Sequence, residues 1–164
     1  MSVEAVKEYL KKWGKDQAVR EFSQSSATVE LAAQAVGVIP ARIAKTLSFL
    51  EKDGERALLL VAAGDARIDN PKYKHTFGCK AKMLSAGQVE ELTGHAVGGV
   101  CPFANPRGKT DVYLDESLKR FSTVFPAAGS ASSAVEMTCE ELFSCSGAKD
   151  WVDVCKDWQE NPAE

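Results

Sequence analysis

Thr46-Leu47-Ser48-Phe49-Leu50, then Glu51-Lys52-Asp53-Gly54-Glu55, then Ala57-Leu58-Leu59-Leu60-Val61-Ala62, is the stretch on which the fold turns. Two apolar runs of strand length flank an Asp-Gly pair, which suits a tight chain reversal, so the segment predicts a β-hairpin. The second run barely alternates. That predicts a strand covered on both faces, at the centre of a sheet.

Helical signals surround the hairpin. Ser2 can cap a first helix on which Val3, Val6, Leu10 and Trp13 recur at helical spacing before Gly14 offers a left-handed stop. An alanine-rich helix is expected over residues 28–36, with Glu30 in its first turn and Gly37 at its exit. Pro40 fits the first position of a short helix over 41–45. Asn70, as cap, and Pro71 open another, ended by Gly78. Residues 80–84 read as a short strand. Ser85 with Gln88, and Thr138 with Glu141, form capping boxes for helices ending at Gly94 and near Gly147. Between them, residues 95–110 are too rich in Gly and Pro for regular structure. Asp111-Val112-Tyr113-Leu114-Asp115 alternates as a strand does, and 116–120 make a short helical turn. Strand candidates 122–128 and 134–137 flank Gly129-Ser130-Ala131-Ser132-Ser133. A last helix over 149–158 would set Trp151, Val154, Cys155 and Trp158 on one face. Interspersed helices and strands predict an α+β fold, a single domain over residues 1–164 with a central mixed sheet surrounded by helices.

The 164 residues are 45% apolar and 26% charged, with a net charge of -3, ordinary values for a globular chain able to close a core. No stretch has the length and apolarity of a membrane span, and Met1-Ser2-Val3-Glu4-Ala5-Val6-Lys7 lacks a signal peptide's basic start and apolar run. A cytoplasmic protein is expected. Five irregularly spaced cysteines without a CxxC pair argue against a disulfide framework. His75 and Cys79 lie one helical turn apart, with Cys101 a conceivable third ligand, but the spacing fits zinc patterns poorly. No metal and no cofactor are expected. The net acidity disfavours general nucleic-acid binding. Yet Arg67, Lys72, Lys74, Lys80 and Lys82 face a single acid, Asp69, within sixteen residues. Such a local stripe suits brief contact with one end of an RNA; a solvated helix face explains it as well.

Three features could carry chemistry. Lys45 sits among Ile43, Ala44, Leu47 and Phe49, where full exposure is improbable. A half-buried ammonium needs an anion, and a ligand's phosphate or carboxylate would serve. Alternatively it snorkels to water or satisfies the carbonyls that end its helix. Gly98-Gly99-Val100-Cys101-Pro102 lets backbone amides approach a ligand closely, or is an ordinary tight loop. The loop 129–133 offers hydroxyls. No nucleophile elbow, paired acids or dinucleotide fingerprint is present, so an enzyme here would work by positioning and backbone hydrogen bonds.

In this order the three features resemble the YbaK/EbsC family of editing domains, which includes free-standing relatives of the prolyl-tRNA synthetase insertion domain. The resemblance runs from about residue 28 to 142. It is carried by Thr28-Val29-Glu30-Leu31-Ala32-Ala33, Val36-Gly37-Val38, Ile43-Ala44-Lys45-Thr46-Leu47, Glu90-Glu91-Leu92-Thr93-Gly94, Gly98-Gly99-Val100-Cys101-Pro102-Phe103, Ala128-Gly129, Val135-Glu136-Met137 and Glu141-Leu142. It implies a deacylase that clears mischarged tRNA, chiefly proline tRNA carrying a small amino acid. Lys45 would then anchor the terminal adenosine phosphate, and Gly98 and Pro102 would match the Gly-x-x-x-Pro cradle of the aminoacyl group. Gly129 would lie in the loop closing the pocket, with Thr46, Gly99, Val100, Cys101, Ser130 and Ser132 beside the substrate. Arg67, Lys72, Lys74 and Lys80 would meet the acceptor end. Water would attack the ester, assisted by the free ribose hydroxyl. Cysteine-specific members carry an acid where Ala134 stands. Several alanine-specific ones have Asn at the position of Thr46 and a histidine near Ser130, so neither specificity transfers.

Two other readings stand beside the hydrolase: a module that holds aminoacyl-tRNA or docks on a synthetase without catalysis, and an interaction domain using the acidic C-terminal helix with its tryptophans. The expected partners are the acceptor end of aminoacyl-tRNA and a synthetase, with no membrane, the chain acting as a monomer or weak dimer.

Overall fold

In the computed structural model, residues 2–25 and 28–161 are described. Helix α1 (Val3–Leu10) starts where the Ser2 hydroxyl accepts the Ala5 amide, and it buries Val3, Val6 and Leu10. A single 3-10 turn (Lys11–Trp13) carries it to Gly14, which is left-handed, but Trp13 stays 36% exposed. After strand β1 (Val19–Glu21) comes α2 (Val29–Val36), capped by Thr28 and ended by Gly37. The short helix expected over 41–45 is instead one 3-10 turn (Pro40–Arg42), and strand β2 (Ile43–Leu50) follows at once. Lys45 therefore lies within a strand. Ile43 and Ala44 already pair in parallel with Phe125 and Pro126, and those ladder bonds outweigh a helical turn that nothing downstream would extend.

The hairpin is as expected. β2 and β3 (Ala57–Ala63) pair antiparallel from Ala44↔Ala63 to Leu50↔Ala57. At the turn, Asp53 Oδ1 accepts the amides of Glu55 and Arg56 at 2.8 and 3.1 Å. Every residue of β3 is buried, the property its unbroken apolar run predicts. Two-residue β4 (Arg67–Ile68) leads to α3 (Asn70–Phe77). Asp69, one residue earlier than expected, is its cap, its carboxylate accepting the Lys72 amide. Helix α4 (Ala86–Thr93) carries the full capping box of Ser85 and Gln88. The strand expected over 80–84 reduces to one bridge, Phe49↔Met83.

Strand β5 (Thr110–Asp115) is followed by a 3-10 turn (Glu116–Arg120), β6 (Phe125–Pro126), β7 (Ser133–Val135) and α5 (Cys139–Ser146), the last with its own capping box. β5 lies inside the sheet, between two parallel partners. Its buried Asp115 is satisfied there, accepting the Ser117 amide at 2.9 Å and the Val154 amide at 3.0 Å. The helix expected over 149–158 does not form. The segment is two short strands, β8 (Asp150–Val152) and β9 (Cys155–Lys156). β8 pairs with the free side of β5 and β9 with β4, which satisfies backbone groups that a helix would leave exposed on both. The apolar spacing is met another way: Val154 and Cys155 are buried, while Trp151 stacks on Phe143 at 6.2 Å. No acidic helix is available there as an interaction surface.

The central five-stranded sheet runs β6-β2-β3-β5-β8. It is mixed, with β2–β3 antiparallel and the other pairs parallel, and the five helices pack around it as a single domain. Its two ends are tied by small ribbons, β1–β7 and β4–β9. Among the described residues no helix is long and apolar enough to cross a membrane.

Candidate active site

Lys45 occupies β2 opposite Ala62, and its side chain is half-buried. The Nζ donates to the Ala66 carbonyl and, at 3.4 Å, to that of Gly64, both in the turn after β3. Burial pulls its pKa below the usual lysine value, while nearby Cys155 and Asp65 act in the opposite direction. An ammonium has three N–H donors, so two engaged carbonyls leave one for a ligand. Carbonyl satisfaction and ligand anchoring, posed as alternatives by the sequence, are thus compatible in one side chain.

Lys45 lines a cavity of about 360 Å³ between α2, β2, α4 and the loops around Gly98 and Ala127. That lies near the lower end of the usual range for small-ligand sites. Its walls are mostly apolar, from Val29 and Ala32 through Leu47 to Val89, Phe125 and Ala134. Lys45 is the sole ionisable side chain among the lining residues described. Across from it come Gly98, at φ +89, and Val100. Among the described residues neither amide has a backbone acceptor, whereas Gly99 closes a turn onto the Ala96 carbonyl at 2.9 Å.

The structure brings together Lys45, Thr46, Gly98 and Val100 of the expected site, and not the rest. Gly99, Gly129, Ser130 and Ser132 line a neighbouring hollow against the start of α1, sharing only Val97 with the cavity. The two loops nevertheless touch: a Cβ on Gly99 would sit 3.4 Å from Ser130 Cα. Gly129 is needed for packing, since at φ +103 its Cβ would lie 2.7 Å from the Ser2 carbonyl oxygen and 2.9 Å from Val6 Cγ2. Cys101 and Pro102 are buried and line neither hollow. The Cys101 sulfur lies 3.5 Å from His95 Nε2, which also meets the Phe103 carbonyl at 2.9 Å. Burial drives the thiol up to about 12 and the imidazole down, so the pair is neutral and holds the loop rather than supplying a nucleophile. Cys101 faces His95, not His75, and among the described residues no group of three or more potential ligands gathers.

Arg67, Lys74 and Lys80 are exposed, and Lys72 is tied to Asp153 at 3.1 Å; none lines the cavity, though Arg67 is close enough to act on Lys45 electrostatically. The residues that hold the serine loop were harder to foresee. Ser133 Oγ accepts the amides of Ala128 and Ser130 at 3.1 and 3.2 Å and donates to the Ser130 carbonyl at 3.1 Å. It is therefore saturated, and its role is to shape the cavity wall. Ser133→Ala leaves two buried amides without an acceptor and is expected to cost about 1–3 kcal/mol of stability, read from denaturant midpoints. Gly64 was missed as well. Its only local signal is a glycine straight after a buried strand, at Ala62-Ala63-Gly64-Asp65.

Known proteins share this arrangement of strands and loops. Residues 23–145 match the aminoacyl-tRNA editing domain family. An uncharacterised protein of Bacillus subtilis, YwhH, is 54% identical over 159 residues, covering 97% of this chain and 100% of the relative. A proline–tRNA ligase of Lactobacillus delbrueckii subsp. bulgaricus is 26% identical over 103 residues, which are 62% of this chain but 18% of the ligase. Among solved structures, a proposed trans-editing enzyme for prolyl tRNA synthetase superposes with a TM-score of 0.83 at 32% identity, over 94% of this chain and 96% of the other. A hypothetical protein, APE2540, gives 0.80 at 30% identity, over 93% and 99%. Matched over three-quarters of its length and in its complete sheet, the chain belongs to the aminoacyl-tRNA editing domain family.

Proposed function

We propose that the chain is a trans-acting deacylase that releases a small amino acid, such as alanine, serine or cysteine, from mischarged tRNA, with proline tRNA the first candidate. The observation that carries this reading is the lone ammonium of Lys45 in an otherwise uncharged cavity, opposite the amides of Gly98 and Val100. A terminal adenosine ester brings what those groups lack: a phosphate for the cation and a carbonyl oxygen for the amides.

The residues act by positioning. Lys45 holds the phosphate next to the terminal ribose, with Thr46 beside it. The Gly98 and Val100 amides face the ester carbonyl and stabilise the negative charge that grows on its oxygen, an effect typically worth about 3 kcal/mol per donor. Water forms the new bond to the carbonyl carbon, its proton passing by way of the free ribose hydroxyl. The ester C–O bond then breaks, and the departing ribose oxygen takes up a proton. Gly129 and the serines around it act on the pocket from behind, through the loop that Ser133 ties. Arg67, Lys72, Lys74 and Lys80 are assigned to acceptor-stem phosphates, contacts that weaken with salt. Such a substrate places the protein in the cytoplasm, as a monomer or weak dimer that meets a synthetase's product.

A panel of alanine, serine and cysteine charged on proline and alanine tRNAs tests the proposal. Release of at least one above the uncatalysed rate is expected. The absence of any other ionisable group in the cavity favours a second reading, a module that holds aminoacyl-tRNA without cleaving it. Binding with no release across the panel would select that reading.

A further inference from the structure

We propose that Arg20 and Arg42 form a phosphate site for the single-stranded 3′ end of the RNA, on the outer side of the cavity wall built by Phe125; the proposal rests on the deacylase reading above. Arg20 pairs with Ala134 across the β1–β7 ribbon. Residues directly opposite in an antiparallel pair share a face, and Ala134 lines the cavity, so Arg20 projects toward its rim. The guanidinium carbons of Arg20 and Arg42 lie 5.7 and 5.3 Å from the centre of the Phe125 ring, itself a lining residue.

Charge is left over at this spot. Glu136 is the carboxylate that both guanidiniums share, at 3.8 Å from Arg20 and 3.6 Å from Arg42, and it also accepts the Thr123 hydroxyl at 2.6 Å. Two cations against one anion leave a net positive charge. The next acid along β1, Glu21, is taken by Lys7 at 3.1 Å. Arg42 is anchored, its Nε donating to the Thr123 carbonyl at 3.1 Å, and its side chain is 20% exposed. Arg20 is 49% exposed and presents its fork to solvent. One fixed and one reachable guanidinium beside a cavity entrance suit a phosphodiester, which accepts paired N–H donors. The strand would cross these two arginines before its last nucleotide enters the cavity with Lys45. This site is separate from the stripe of Arg67 to Lys80, which the sequence had singled out.

The test is steady-state deacylation of alanine-charged proline tRNA by the full chain across a range of salt concentrations. Arg20→Gln is expected to raise KM about five-fold with kcat unchanged, and to flatten the log–log salt dependence by about 0.7, the value for one contact to a single strand. Glu136→Gln is expected to lower KM, because it removes the competing anion yet keeps an oxygen for Thr123. A merely structural role would impair both variants. On 3′-alanyl-adenosine, which has no backbone phosphate, Arg20→Gln should match the wild type. Unchanged KM and salt slope in Arg20→Gln, or an equal loss on the adenosine ester, overturns the proposal. If the wild type cleaves nothing, the deacylase reading fails on its own. Filter binding of uncharged proline tRNA then decides the arginine site: weaker binding by Arg20→Gln supports it, and equal binding refutes it.

Discussion

Lys45→Ala is expected to lower kcat/KM for the cleaved aminoacyl-tRNA by at least about 100-fold, the scale of removing one well-placed charge-stabilising group, while the domain stays folded. The fold should survive because burial already disfavours this ammonium, so its loss relieves a desolvation cost as it removes two hydrogen bonds to the Gly64 and Ala66 carbonyls. The pH profile offers a second reading. With its folded pKa below the usual lysine value, Lys45 loses its proton at a lower pH than a free lysine does. Activity that needs the ammonium therefore declines as pH rises through that lowered value. For stability the sign is opposite. Between the folded and the ordinary value the unfolded chain binds the proton more tightly, so this residue's contribution to stability rises with pH. Circular dichroism and thermal melting of wild type and Lys45→Ala separate folding from function. Equal turnover by the two proteins would remove Lys45 from the mechanism.

Gly64→Ala is expected to destabilise the protein by about 3 kcal/mol, near the upper end for overpacking a tight site, and to lower the melting temperature by roughly 10 °C. A Cβ there would lie 2.1 Å from the Pro40 carbonyl oxygen and 2.6 Å from Val29 Cγ1. The nearer contact is backbone, so no side-chain rotation relieves it. Either the turn after β3 moves away from the segment before β2, or the helix bearing Val29 shifts. Either movement displaces the Gly64 carbonyl from Lys45 and disturbs a cavity wall. Gly87→Ala is the matching control, since its Cβ would meet nothing within 4 Å. A Gly64→Ala protein as stable as the wild type would show that the close approach is not rigid.

Of the candidate site, Lys45 and Gly98 could be picked out from the sequence because each is conspicuous where it stands: a lysine inside an apolar run, and a glycine pair before a proline. Their placement on one cavity is a property of the folded chain, and so is the displacement of Gly129, Ser130 and Ser132 to the hollow next door. Ser133 looked like its neighbours until its three hydrogen bonds set it apart. Cys101 read as a substrate contact because it sits in the glycine turn, but alternation along that turn sends its sulfur inward to His95.

The features the linear chain determined are those whose energy is spent within a few residues. The Asp53 turn and the capping boxes of Ser85 and Thr138 close through partners two or three positions away, and the unbroken apolarity of β3 demands cover on both faces whatever supplies it. Only the tertiary structure decided the segments with two near-equal local options. Residues 149–158 have helical spacing, but the open side of β5 and the pairing to β4 offered more backbone hydrogen bonds than a short helix could make. Ile43 and Ala44 became strand because Phe125 and Pro126, some eighty residues on, were there to pair with them. Where local preference is worth a few tenths of a kcal/mol per residue, a distant partner that satisfies a whole row of amides and carbonyls prevails.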